Sequence, residues 1–423
     1  MQTNFIRKIS VFKAGGNPLI KEFSGYGVST IVFHSSRIMT ELLVAKLVGP
    51  KLFGMWYLLN LLITYRSVTF IGVVNGMLLK VPILRGKQEH KQAVIYQNVT
   101  FLIVIASVCV TALVLTIIAA FGITDYSVYL MPLTLLFFAN QYYYFIDAFF
   151  ISHSNFSQIS RMQMLCALLF PSITIPLVYF YSLSGFIIGT SFAYLIAVLI
   201  VYLKFNFSIR PQFDIKVIRE LVKTGFPIML VGIIYTFFIT VDRWMIELML
   251  GTEYLGKFSM AILTFGMLTI LPATMSRQFY SKMAFDWGST HSNAVLESWC
   301  KKQATYSFYL ILITVAGVMS VFPLLIHFWL TQYQESIFPI VIISVGVLSM
   351  PLSAGWGDVI NILGRQKVYL KISLFLIGVN ILLNFLFITF GLKIVGVAMA
   401  TSISFILYNL AIRFTARRML AHG

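Results

Sequence analysis

Three arginines, Arg37, Arg66 and Arg243, stand inside stretches that are otherwise largely apolar. A guanidinium keeps its charge when buried, and its fork of donors matches phosphate oxygens, so arginines in such surroundings suit a phosphate-bearing substrate. Two of them have an acid one helical turn on. Arg37 and Glu41 are four apart, as are Arg243 and Glu247, so each pair shares a helical face. Each pair can therefore be read as a substrate clamp or as an internal ion pair that pins helices. His34 extends the first face; Thr236 and Thr240 extend the second. Arg66 has no acid within a turn of its own helix, which favours a functional role for a charge so costly to place in a membrane.

The carboxylates offer a second chemistry. A desolvated acid can load and release a cation as its access to water changes, and Glu41, Asp242 and Glu247 are the candidates for ion coupling or ion pairing. Asp147 and Asp358 fall toward the ends of their apolar stretches, where a gate or helix-end role is expected. Bond-making motifs fail. Gly251-x4-Gly256-Lys257 opens like a phosphate-binding loop, but Phe258 stands where a magnesium-binding Ser or Thr is needed. Cys109, Cys166 and Cys300 have neither disulfide nor metal-site spacing, and there is no nucleophile–base arrangement. The expectation is a protein that is not an enzyme and needs no cofactor or metal.

The elements that carry these residues follow from composition. The chain has 423 residues, 59% hydrophobic and 11% charged, with a mean hydropathy of +0.88. Soluble domains average about 45–50% apolar and about 25% charged residues, so this chain cannot cover a water-facing surface. About twenty apolar residues cross a bilayer. Twelve stretches qualify, near 24–48, 54–79, 93–121, 128–151, 162–182, 185–203, 224–250, 254–276, 303–326, 336–360, 369–390 and 394–414. The longest connection is near 280–302, and Cys300 is expected in it. Trp56, Trp329 and Tyr333 are expected near the outer interface, and the intramembrane asparagines, among them Asn380, Asn384 and Asn409, in hydrogen bonds between helices.

The net charge of +17 would ordinarily suggest nucleic acid. Its distribution says otherwise. Basic residues crowd into alternate connections, while the intervening turns hold only Lys46, Lys51, Lys257 and Lys393. Basic residues near span ends are retained in the cytoplasm, so both termini are expected there, with no nucleic-acid partner. The first apolar stretch is long and contains Arg37 and Glu41, so no cleavable signal is expected.

The halves repeat. Arg37-x-Met39-x-Glu41 is matched by Arg243-x-Met245-x-Glu247, and Gly49-x4-Gly54 by Gly251-x4-Gly256. The sequence thus predicts an all-α polytopic membrane protein of two parallel six-helix lobes. These would be 1–203 and 224–423, joined by a basic cytoplasmic linker, 204–223, an arrangement suited to alternating access.

Five segments carry a family resemblance: LVGPKLFGMWYLL (47–59), VNGMLLKVPILRGK (74–87), NFSQISRMQM (155–164), VDRWMIELMLGTEYLGKFSMA (241–261) and NILGRQKVYLK (361–371). Together they resemble the Wzx-type O-antigen and polysaccharide flippases of the multidrug/oligosaccharidyl-lipid/polysaccharide (MOP) exporter superfamily. The resemblance implies a MATE-like fold in a bacterial inner membrane. It implies ion-coupled movement of an undecaprenyl-pyrophosphate-linked oligosaccharide from the cytoplasmic to the periplasmic leaflet. It also implies a coupling proton or sodium ion, and partners in a polysaccharide polymerase and a chain-length regulator. Arg37, Arg66 and Arg243 are the positions that fit its cationic substrate-binding residues. Two alternatives stay open: a multidrug/cation antiporter of the same superfamily, and a membrane-embedded O-antigen polymerase or glycosyltransferase.

Overall fold

In a bilayer every backbone polar group must find its partner within the chain, so long apolar runs become helices. The computed structural model describes residues 18–122, 126–153, 155–204 and 209–422, and every regular element among them is helical. They are α1 (Pro18–Thr64), α2 (Val73–Gly86), α3 (His90–Ala120), α4 (Ser127–Ser152), α5 (Phe156–Lys204), α6 (Ile215–Phe238) and α7 (Val241–Met249), then α8 (Thr252–Thr290), α9 (Asn293–Phe328), α10 (Ile337–Val347), α11 (Met350–Ser353), α12 (Trp356–Ile362), α13 (Gln366–Thr389) and α14 (Lys393–His422). Among the described residues, nine helical segments are long and apolar enough to cross a membrane. Two of these carry paired spans. α1 breaks at Gly49 (φ 78°, ψ 171°), and α5 breaks at Ser182 (φ 51°, ψ −130°). The fourth expected span forms α4, whose Asn140, Gln141 and three consecutive tyrosines dilute its hydropathy and keep it outside the nine.

Four expectations need correction. The second span is not one helix: α1 ends at Thr64, a 3-10 turn covers Arg66–Phe70, and α2 starts at Val73. Gly72, at φ +79°, explains the break, because a Cβ there would sit 2.5 Å from the backbone of Gly225 and Phe226. The seventh span is interrupted between Phe238 and Val241. The tenth is split into α10, α11 and α12, with Gly355 (φ +80°) at the last turn. Finally, the long connection near 280–302 is almost wholly helical, and Cys300 is fully buried in α9. Polar residues on one face of a helix extension read as a loop in hydropathy.

The chain forms two compact units. The first comprises residues 1–40, 73–177 and 187–222. Its helices are joined by polar contacts: Ser29 and Thr30 donate to Gln163 Oε1 at 2.9 and 3.1 Å. Lys80 of α2 pairs with Glu220 of α6 at 2.5 Å, and Tyr96 of α3 donates to the same carboxylate. Phe33, Tyr143, Phe170 and Tyr194 form an aromatic core.

The second unit comprises residues 41–72, 178–186 and 223–423. Here the repeated glycines take on structural meaning. Gly251 (φ 91°, ψ 171°) has nearly the same backbone conformation as Gly49, and each starts a helix. Those helices cross at Gly54 and Gly256, where a Cβ on Gly54 would lie 2.7 Å from Gly256 N. Small residues allow this approach of backbones in a membrane. Trp56 and Tyr333 are core residues: Trp56 packs on Phe186, and Tyr333 is wholly buried.

Candidate substrate and ion site

The second unit gathers a polar cluster around the break between α6 and α7. Thr240 turns its hydroxyl back to Thr236 O (2.8 Å) and also shares a 2.5 Å hydrogen bond with the Tyr65 hydroxyl. Such back-bonding helps the chain leave the helix at this point. α7 then begins with Asp242 in its first turn and Arg243 beside it.

These two neighbours have different surroundings. The Arg243 guanidinium lies over the ring of Tyr57, 5.5 Å from its centroid, and the Tyr57 hydroxyl donates to Glu41 Oε2 at 3.3 Å. A cation over an aromatic face gains roughly 0.5–2 kcal/mol, more as water is excluded. The carboxylates of Asp242 and Glu41 add to the favourable field. Arg243 Nε has no hydrogen-bond partner among the described residues. Asp242 points elsewhere: its Oδ1 accepts from Asn384 Nδ2 (3.0 Å) and its Oδ2 from Thr401 Oγ1 (2.6 Å). Asn384 also donates to Asn380 at 2.7 Å, so one buried carboxylate ties α7 to α13 and α14.

The other expected site residues fall as follows. Arg66 lies in the 3-10 turn, half-buried, with Nη1 donating to Ile63 O at 3.2 Å. Its chain neighbour Tyr65 bonds Thr240, so the turn is held to the start of α7. Glu247 accepts from Thr252 Oγ1 at 2.7 Å, at the junction of α7 and α8. Arg37 lies in the first unit on α1, and Asp147 in the same unit on α4, both half-buried. Asp358 lies in the second unit in the first turn of α12, accepting from Ser276 (3.3 Å) and Gln303 (3.4 Å). Glu41 and Arg243 are therefore brought together through Tyr57, while Asp242, beside Arg243 in the chain, is held by Asn384 and Thr401. Glu247 and Asp358 each have surroundings of their own. Tyr57, Tyr65 and Thr401 were not singled out from sequence, since nothing in an apolar run marks one tyrosine or threonine above another. The four-residue spacing of Asn380 and Asn384 was the available signal for a polar face on α13.

The fold is similar to that of solved MATE-family and MOP-superfamily transporters. The chain is similar to the inward-facing structure of a multidrug resistance MATE family transporter, with TM-score 0.72, 13% identity and 95% of each chain covered. It is similar to the Vibrio cholerae MATE transporter VcmN, with TM-score 0.69, 13% identity, 96% of this chain and 97% of that one. A third solved relative is a MOP superfamily transporter from Pyrococcus furiosus, with TM-score 0.68, 14% identity, 95% of this chain and 96% of that one; its binding pocket is described as reversed in polarity, suggesting a different function. No curated protein matches the chain. Residues 28–339 match the model of the polysaccharide biosynthesis protein family, and the chain belongs to that family. It is a multi-pass membrane protein with the MATE-like fold.

Proposed function

We propose that the protein is a flippase that carries an undecaprenyl-pyrophosphate-linked oligosaccharide, an O-antigen or related repeat unit, between the leaflets of a bacterial inner membrane. The observation that carries this reading is the placement of Arg243. A half-buried guanidinium rests on Tyr57 with Nε free of hydrogen bonds, in a chain that belongs to a polysaccharide biosynthesis family. Moving a pyrophosphate and its sugar hydroxyls through hydrocarbon unaided is prohibitive, because each desolvated polar group costs several kcal/mol. Arginines replace part of that hydration with charge-assisted hydrogen bonds, while a prenyl tail stays in lipid. Arg37 and Arg66 are the further candidates for the anion.

In this scheme lobes 1–203 and 224–423 alternate access, linked by 204–223, with both termini cytoplasmic. Asp242, with Glu41 and Glu247, is the candidate for coupling to a proton or sodium gradient, and Asp147 and Asp358 are helix-end groups. A polysaccharide polymerase and a chain-length regulator are the expected partners downstream. The P. furiosus relative supports the idea that pocket polarity on this fold differs with function.

A second reading, a multidrug/cation antiporter, draws on the multidrug transporters that share the fold. Arginines in the polar cluster weigh against an organic cation as substrate. The deciding experiment uses cells that depend on this copy for surface polysaccharide. Arg243→Ala at normal abundance should abolish export, with lipid-linked units accumulating on the cytoplasmic side. Undiminished export would remove Arg243 from the mechanism. Drug resistance conferred by the wild type, without polysaccharide export, would favour the antiporter.

A further inference from the structure

A cavity of about 220 Å³ lies wholly within the second unit, and its lining combines two kinds of side chain. One is aromatic: Tyr235 of α6, Tyr369 of α13 and Tyr408 of α14. Tyr408 stacks on Phe238 at 5.2 Å and donates its hydroxyl to that of Tyr369. The other kind is polar: Ser276 of α8, Gln303 of α9 and Asp358 of α12. Ligand pockets have this make-up, apolar and aromatic surface with a few fixed polar groups.

The polar groups mostly accept. Asp358 Oδ2 accepts from Ser276 Oγ at 3.3 Å and from Gln303 Nε2 at 3.4 Å. Gln303 Nε2 also donates to Ser276 Oγ at 3.1 Å, which leaves the amide carbonyl over. Gln303 is 1% exposed, and its Oε1 has no hydrogen-bond partner among the described residues. Gly355 keeps that oxygen uncovered, since a Cβ there would lie 3.1 Å from it. No lysine or arginine among the described side chains forms an ion pair with Asp358. The cavity therefore offers a carboxylate and a buried carbonyl oxygen beside aromatic rings. A ligand that satisfies it carries several O–H donors and an apolar face, which is the character of a sugar ring. A negative charge on the ligand would meet Asp358 with no cation to offset it.

The cavity is also placed for a sugar attached to a phosphate. Thr401, which holds Asp242 beside Arg243, and Tyr408 are seven residues apart on α14. Two helical turns put them on nearly one face, about 10 Å apart along the axis. A water takes about 30 Å³ of liquid, so the volume suits one ring rather than a chain of them.

We propose that this cavity is a subsite for one neutral sugar ring, whose hydroxyls donate to Asp358 and to Gln303 Oε1 while its C–H face rests on the tyrosines. The same acid refuses uronic acids and other anionic sugars at this position. The subsite rests on the reading above of a phosphate-linked oligosaccharide as substrate. It adds where one sugar sits and which sugars are turned away.

The test uses the purified full-length protein in lipid nanodiscs, read by saturation-transfer NMR. The probes are the methyl glycosides of glucose and galactose, each paired with the matching uronic acid. For the wild type, saturable binding of a neutral glycoside is expected, with its uronide roughly tenfold or more weaker. Gln303→Leu should weaken the neutral glycoside roughly tenfold, the usual loss for a hydrogen bond that leaves a buried partner unmet. Asp358→Asn should bring glycoside and uronide closer together, a change of preference that a merely structural role would not produce. Lys301→Ala, an exposed residue of α9, should change neither. Gln303→Leu alters no charge, so the subsite stays testable if Asp358→Asn fails to fold. Absence of saturable binding of both neutral glycosides would overturn it. So would equal binding of the uronides to the wild type, or undiminished binding in both variants. The probes carry no phosphate, so Arg243→Ala should still bind them. Arg243-dependent export without glycoside binding would sink the subsite and leave the flippase reading standing; glycoside binding without export would do the reverse.

Discussion

Gly54 and Gly256, equivalent positions in the two repeats, meet backbone to backbone: a Cβ on Gly256 would lie 3.0 Å from Gly54 N, and closer still to the carbonyl of Pro50. The reciprocal Cβ would run into the carbonyl of Thr252. The repeat is therefore more than similarity of sequence. Its two glycine pairs build one crossing, with Gly49 and Gly251 setting the start of each helix and Gly54 and Gly256 setting their separation.

Gly54→Ala and Gly256→Ala should both destabilise the protein, since the obstructing atoms are backbone and cannot rotate away. Overpacking of this kind costs about 1–3 kcal/mol. The thermal midpoint in detergent measures it. Gly266→Ala, on α8 with nothing within 4 Å of the added carbon, should leave the midpoint unchanged or raise it.

Arg243→Lys should retain charge but lose the planar group above Tyr57, so polysaccharide export should fall without vanishing. Tyr57→Phe keeps the ring and removes the hydroxyl that reaches Glu41, so its effect should be milder than that of Arg243→Ala. Export per unit of membrane protein is the measurement. Equal defects in all three would point to a fold role for the cluster.

Thr401→Val should weaken the tie between α7 and α14 by removing the hydroxyl that donates to Asp242. Hydrogen bonds between membrane helices average about 0.6 kcal/mol and reach about 1.7. A charged acceptor inside the unit places this one toward the upper value. Asn384→Leu should behave similarly, and the double change should show coupling, because both substitutions starve the same carboxylate.

His153, at the end of α4 and outside the expected spans, gives a pH dependence. Burial pushes its pKa below the ordinary value, and the positive charge of Arg85 adds to that; a bond to Phe149 O works the other way. The fold therefore favours the neutral ring. Its contribution to stability is present above the unfolded-state value of about 6.5 and is lost as pH falls toward the depressed folded value. His153→Gln should flatten the decline in midpoint between about pH 7.5 and 5.5, and an unchanged slope would assign the decline to other groups.

Cys300 should resist a membrane-impermeant maleimide until the protein is denatured, since it is fully buried in α9. Rapid labelling in the native state would return this stretch to the exposed connection that hydropathy suggests.

The helical, membrane-embedded nature of the fold was legible because it rests on composition. Helix breaks were not. Gly72 interrupts the second span because of Gly225, distant in sequence, and the break at Thr240 depends on Tyr65. The same limit applies to the site. Arg243 and Asp242 stand out in sequence as intramembrane charges, but their division of labour is set by Tyr57 on one side and by Asn384 and Thr401 on the other. The four-residue spacing marks Arg37 with Glu41 and Arg243 with Glu247, but nothing in it marks Tyr57 or Thr252, whose hydroxyls donate to Glu41 and Glu247. Helical spacing lists possible neighbours; tertiary packing chooses among them.

Where Gly49 breaks α1, the tertiary structure supplies a partner for the backbone nearby: the Tyr333 hydroxyl donates to the carbonyl of Ala45 at 3.0 Å, across 288 residues. During synthesis, Ala45 leaves the ribosome long before Tyr333 does. For that interval this bond cannot form, and a chain arrested before residue 333 never forms it. The first described helix thus receives a hydrogen bond from a segment far later in the chain. Nascent and truncated chains therefore differ from complete ones at this point by one hydrogen bond.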